Sequence, residues 1–106
     1  MDGGFIVLNY TKKKEGSVLR VDLDGALDTN TAPGFLADLQ PQLGGLTKLV
    51  LNCEKLSYIS SAGLRVLLTF QQELEEADKT MELHHVNELI RDVFDVTGFL
   101  DILTIV

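Results

Sequence analysis

One cysteine, two histidines, two prolines and no tryptophan are spread over 106 residues. With Cys53 alone, no internal disulfide can form. It closes an apolar run and has no His-Asp pattern beside it, which fits a small buried residue more than a reactive thiol. His84 and His85 are adjacent in a stretch that reads as a strand. Neighbouring strand residues point to opposite faces, so one ring is expected inside and one outside. They would not chelate a metal together, and no cysteine or carboxylate completes a site at ligand spacing. Gly44-Gly45 lacks the Lys-Ser/Thr continuation of a phosphate loop. Ser60 and Ser61 lie outside a nucleophile elbow, and Ser61 would become a nucleophile only if His84 or His85 folded over it. The reading is a non-enzyme with no cofactor and no metal.

Positive charge is scarce as well. Nine Lys and Arg against sixteen Asp and Glu leave a net charge of −7. That disfavours a nucleic-acid surface, which needs clustered cations, and an anionic lipid surface. Lys12-Lys13-Lys14 reads as a solvated loop, and Glu73, Glu75, Glu76 and Asp78 as a solvated helix end. No apolar run is long enough to span a bilayer. Met1-Asp2-Gly3-Gly4 lacks a basic region leading into an apolar stretch, so no signal peptide is expected. A cytoplasmic single domain over residues 1–106, without membrane contact, is the expectation.

What the chain does contain is alternation of strand and helix patterns. Residues 5–10 read as a strand. Residues 17–24 alternate with period two, Leu19, Val21 and Leu23 inward and Asp22 and Asp24 in solvent. Asp28, Thr29, Asn30 and Thr31 form a capping cluster, Pro33 suits a first helical turn, and Phe35, Leu36, Leu39 and Leu43 repeat at helical spacing before Gly44-Gly45. Residues 47–53 form a continuous apolar strand, as when both faces are covered. A helix opened by Ser60-Ser61 runs to about Asp78 with Leu64, Leu67, Leu68, Gln71 and Leu74 as its stripe. Val66 and Phe70 widen that stripe, which implies either burial or a strip open to a partner. Residues 80–86 read as a strand. Asn87 caps a third helix with Leu89, Ile90, Val93 and Phe94 inward and Gly98 as its stop. Residues 100–106 end as a strand. The order β-β-α-β-α-β-α-β implies an α/β domain with a mixed, largely parallel sheet of about five strands.

The stretch Tyr58-Ile59-Ser60-Ser61-Ala62-Gly63-Leu64 joins a buried strand to an apolar helix. Serine is a preferred N-cap, since its oxygen accepts from free N–H groups of the first turn. The helix N-terminus also tolerates an anion, so Ser61 stands where a phosphate could be added without unfolding. An ordinary cap and a modification site both fit these residues.

The chain resembles the STAS domain family of bacterial anti-sigma-factor antagonists over nearly its whole length. Five pieces carry the resemblance. They are Leu23-Asp24-Gly25-Ala26-Leu27-Asp28, Leu49-Val50-Leu51-Asn52-Cys53, Leu56-Ser57-Tyr58-Ile59-Ser60-Ser61-Ala62-Gly63-Leu64, the helix over 64–74, and Val96-Thr97-Gly98-Phe99-Leu100 before Ile102-Leu103-Thr104-Ile105. The family turn usually reads Asp-Ser-Ser/Ala-Gly-Leu. Ser61 then holds the position phosphorylated by an anti-sigma factor that is also a Ser/Thr kinase. Ser60 holds the place of the Asp, and Asn52 stands where an Asp is common. A further helix often follows the last strand, where this sequence stops at Val106. The resemblance implies an anti-sigma factor, a Ser/Thr protein kinase, as partner, met by Ser57, Tyr58, Ser60, Ser61, Ala62, Gly63 and Arg65. Other family members act as constitutive scaffolds in stress-signalling or lipid-transport complexes or as tails of anion transporters. A small-ligand sensor or hydrolase using the turn as an anion site is a third reading.

Overall fold

The computed structural model describes residues 7–106. Strands β1 (Leu8–Glu15) and β2 (Val18–Leu27) form an antiparallel hairpin that closes at Glu15 opposite Val18. Helix α1 (Ala32–Leu39) and a 3-10 turn (Gln40–Gly45) lead to β3 (Lys48–Ile59). Helix α2 (Ser61–Glu76) then leads to β4 (Thr80–His84). Helix α3 (Glu88–Thr97) and a 3-10 turn (Phe99–Asp101) finish the chain. The sheet order is β1-β2-β3-β4, with β2, β3 and β4 parallel. The fold is therefore the expected α/β domain with a mixed sheet.

The core lies on one face of that sheet. Register aligns Val21 with Leu51 and Leu51 with Leu83. These pack under Phe35, Leu39, Leu67, Phe70, Leu74, Ile90 and Phe94 from the helices. The other face carries Arg20, Asp22, Lys48, Asn52, Glu82 and His84, all at least partly exposed, with Val50 buried among them. Residues 47–53 thus do not have both faces covered by helices, as their apolar character suggested. Asp22 is also not simply solvated. It accepts from Asn52 Nδ2 at 3.0 Å and from Arg20 Nε at 3.1 Å, and the Asn52 bond leads in holding its pKa below the ordinary 3.8.

Several boundaries differ from the sequence reading, each for a local reason. Part of the expected first strand, residues 5 and 6, lies outside the described residues. The strand continues through Lys12-Lys13-Lys14, which is not a loop. An edge strand accepts lysines because they stand in solvent and discourage further pairing. Lys12 Nζ also reaches Asp38 of α1 at 3.0 Å, and the Tyr10 hydroxyl donates to the same carboxylate at 2.9 Å. Helix α1 stops before Leu43 because Pro41 has no N–H to continue the ladder. The expected fifth strand shrinks to one parallel bridge, Ile105 with Leu83. Ile102 and Leu103 N–H groups bond back to the Phe99 carbonyl at 3.1 and 2.9 Å, which holds that stretch in a turn. Leu89 is 59% exposed and not inward. It stands roughly 100° round the helix from Ile90, off the stripe that Ile90 and Phe94 share.

Asn87 ties α3 to the sheet. Its Oδ1 accepts from Ile90 N–H at 3.0 Å, and its Nδ2 donates to the carbonyls of Leu56 and Cys53 at 2.7 and 3.2 Å. Asn87→Ala removes a cap and leaves two strand carbonyls without this donor. A loss of about 2–3 kcal/mol is expected in urea unfolding. An unchanged midpoint would show that the clamp contributes nothing.

Candidate functional site

β3 runs twelve residues, well past Cys53, because it keeps pairing with the end of β2. The register slips between Asp22 and Asp24 and again between Gly25 and Ala26, so that Ala26 meets Tyr58 and Leu27 meets Ile59. Gly25 takes φ +118°, and a Cβ there would stand 2.0 Å from the Val7 carbonyl oxygen. Ser57 Oγ donates to the Gly25 carbonyl at 3.0 Å. Beyond β2, Asp28 Oδ1 accepts from the N–H groups of Asn30 and Thr31 at 2.9 and 3.1 Å. Thr31 Oγ1 donates to the Ala26 carbonyl at 2.7 Å. This is the capping cluster expected there, although the Thr31 side chain does not itself cap α1.

The strand-to-helix turn is joined to β2 by the Ser60 N–H, which donates to the Leu27 carbonyl at 3.0 Å. Ser60 is extended, at φ −102° and ψ 179°, and its carbonyl accepts the first helical bond from Leu64 N–H at 2.9 Å. Its backbone therefore occupies the N-cap position. Its side chain does not cap: Ser60 Oγ is sealed from solvent and has no hydrogen-bond partner among the described residues. Ser61, the first helical residue, is exposed.

The seven residues singled out from the sequence divide by direction. Ser57, Ser61 and Arg65 are exposed, Tyr58 is 51% exposed and Ala62 is half-buried. Ser60 turns its oxygen inward. Gly63 is buried beneath the turn, where a Cβ would sit 2.4 Å from the Leu27 carbonyl oxygen and 2.8 Å from Ile59 Cγ1. Gly63 thus lets α2 seat against the sheet and presents no surface of its own. A shallow groove of about 250 Å³ runs beside Ser61, lined also by Leu64, Arg65, Leu68, Thr97 and Phe99. Thr97 and Phe99 were not foreseen as neighbours of Ser61. The signal for them was the Val96-Thr97-Gly98-Phe99 break, whose destination against α2 is long-range.

Among the described residues, the other candidate groups do not converge on one site. Cys53 is buried, and burial pushes its thiol up to about 12. β4 ends at His84, and His85 takes φ +54°, so strand alternation does not separate the two rings. Their centroids are 6.3 Å apart, with His84 half-buried and His85 exposed. His84 instead sits 2.9 Å from Glu82. Among the described residues, no three His, Cys, Asp or Glu side chains come together as metal ligands, and no helix is long and apolar enough to cross a membrane.

The STAS domain family matches residues 9–106. The candidate anti-sigma factor antagonist BtrV of Bordetella bronchiseptica is 33% identical over 96 residues, covering 90% of this chain and 83% of its own. The anti-sigma-B factor antagonist of Staphylococcus aureus is 28% identical over 97 residues, covering 91% and 90%. Among solved structures, the anti-sigma factor antagonist SpoIIAA in its unphosphorylated form superposes with a TM-score of 0.75 at 21% identity, covering 92% of this chain and 87% of its own. The Bacillus cell fate determinant SpoIIAA in the phosphorylated form gives 0.74 at 22%, covering 92% and 91%. At those identities the superpositions establish the fold.

Gly63→Ala tests the seat of α2. The added methyl gains helix propensity but meets a strand carbonyl that cannot move alone. A net loss of about 2 kcal/mol is expected from the urea midpoint. A midpoint equal to the parent's would mean that the helix does not pack this closely.

Proposed function

This chain belongs to the STAS domain family, and we propose that it serves there as an anti-sigma factor antagonist switched by phosphorylation of Ser61. The unmodified chain docks on an anti-sigma factor in the cytoplasm and frees the sigma factor. It acts by binding and catalyses nothing. Ser57, Tyr58, Ser61, Ala62 and Arg65 form the docking face, while Ser60 and Gly63 shape it from beneath.

The observation that carries this reading is the exposed Ser61 side chain at the start of a helix. The names of BtrV and the Staphylococcus aureus protein support antagonism of an anti-sigma factor. The phosphorylated state of SpoIIAA supports a phosphate switch. In the proposed step, the partner's Ser/Thr kinase activity transfers the γ-phosphoryl group of ATP to Ser61 Oγ. The hydroxyl proton leaves to a base of the kinase, and ADP departs.

The consequence follows from charge. The phosphate brings about −1.5 to −2 charges to the docking face. Desolvating them costs several kcal/mol unless a cation of the partner pairs with them. A penalty of about 3 kcal/mol already weakens binding more than a hundredfold. The fold persists, because a helix N-terminus favours an anion.

Ser61→Asp is expected to fold and to bind the anti-sigma factor captured from the native host at least tenfold more weakly than the parent, by calorimetry. Ser61→Ala is expected to bind like the parent and to resist phosphorylation by kinase and ATP. Parent-like binding by both variants, with no mass change at the peptide spanning residues 57–65, would overturn the switch. A constitutive scaffold of a signalling or lipid-transport complex would then be the better reading.

A further inference from the structure

We infer that Arg65 is the internal counter-ion of a phosphate on Ser61, so that modification both adds an anion and withdraws a cation from the docking face. This rests on Ser61 being the phosphoacceptor.

Ser61 and Arg65 are four residues apart in α2, both exposed, and both line the same groove. Residues at that spacing lie one above the other on a helix face, and an anion placed N-terminal to the cation is the better of the two orders. Among the described residues, no other charged residue lines the groove. Among the described residues, the Arg65 guanidinium makes no ion pair and no side-chain hydrogen bond, as also holds for Lys13, Lys14, Lys55 and Arg91, none of which lines this groove. Arg65 can therefore turn to a new anion without breaking an existing contact. A planar guanidinium presents two parallel N–H donors that match two phosphate oxygens. The Oγ of Ser60, by contrast, is sealed and remains a bystander.

Two states of one side chain follow. In the unmodified chain Arg65 stands free on the face that meets the partner. In the phosphorylated chain it folds one helical turn back onto the phosphate. A partner carboxylate that used Arg65 then faces an anion in its place.

The test needs no partner. Phosphoserine is placed at position 61 of the full chain with a phosphoserine-charged suppressor tRNA, and its phosphorus resonance is titrated by NMR. The second ionisation, ordinarily near pH 6, should fall about half a pH unit lower in the parent than in Arg65→Gln. Arg65→Lys should recover part of that shift, since it keeps the charge and loses the fork. Both chains share the helix N-terminus, so its contribution cancels in the difference. Coincident titrations of parent and Arg65→Gln would overturn the pairing. Binding of the same phosphorylated samples to the anti-sigma factor separates the two ideas. Coincident titrations with binding abolished would remove the pairing and leave the switch. A shifted titration with binding intact would do the reverse.

Discussion

The carbonyl of Leu27 is the point on which the site depends. It accepts the Ser60 N–H at 3.0 Å and lies where a side chain on Gly63 would collide with it. A single hydrogen bond of this kind contributes on the order of 1 kcal/mol net. Its structural effect is larger than its energy. It ends β3 against β2 and sets the first residue of α2, so Ser61 emerges at a fixed place at the end of the sheet. Asp28 and Thr31 brace the same strand end from the other side, through the Ala26 carbonyl. The exposed serine thus stands on three converging elements, which is how an outward side chain acquires a defined position.

Much of this was legible because local and long-range preferences agree. Leu19, Val21 and Leu23 alternate with polar residues, and all three are buried. Asn87 and Gly98 bracket α3 as a capping side chain and a left-handed stop, at φ +80° for Gly98. The failures occur where a neighbour in space decides. Lys12 is strand because Asp38 and β2 hold it. Leu100 is turn because Phe99 accepts from the residues that follow. Ser60 looks like a side-chain cap in sequence, yet the packing of the turn faces its oxygen inward. The division of Ser60, Ser61 and Gly63 into inward and outward groups depends on β2, which lies more than thirty residues earlier, and no pattern within the turn encodes it.

A sheet covered on one side has to manage its other face with polar side chains. Here cations and anions alternate across it. Arg20 meets Asp22, Asn52 bridges to Asp22, and Lys48 and His84 both approach Glu82. Hydrogen bonds from His84 and then Lys48 hold the Glu82 carboxyl below its usual range. These pairs are part-exposed and contribute little stability each. They consume cations that would otherwise be free, in a chain already short of them. Arg65, beside Ser61, is one of the cations that these pairs leave unused among the described residues.

The replacement of the family's usual Asp by Ser60 fits the same picture. The oxygen at this position is shut off from water and meets no donor among the described residues. A neutral hydroxyl left so costs about 1–3 kcal/mol, whereas an ionised carboxylate in that orientation would cost several times more. An aspartate at this N-cap position would turn its carboxylate to the free N–H groups of the first helical turn. There it would hold a permanent negative charge next to Ser61. Serine at 60 keeps the turn neutral. Under the proposed switch, the charge of the docking face is then set by one event and not shared with a permanent acid.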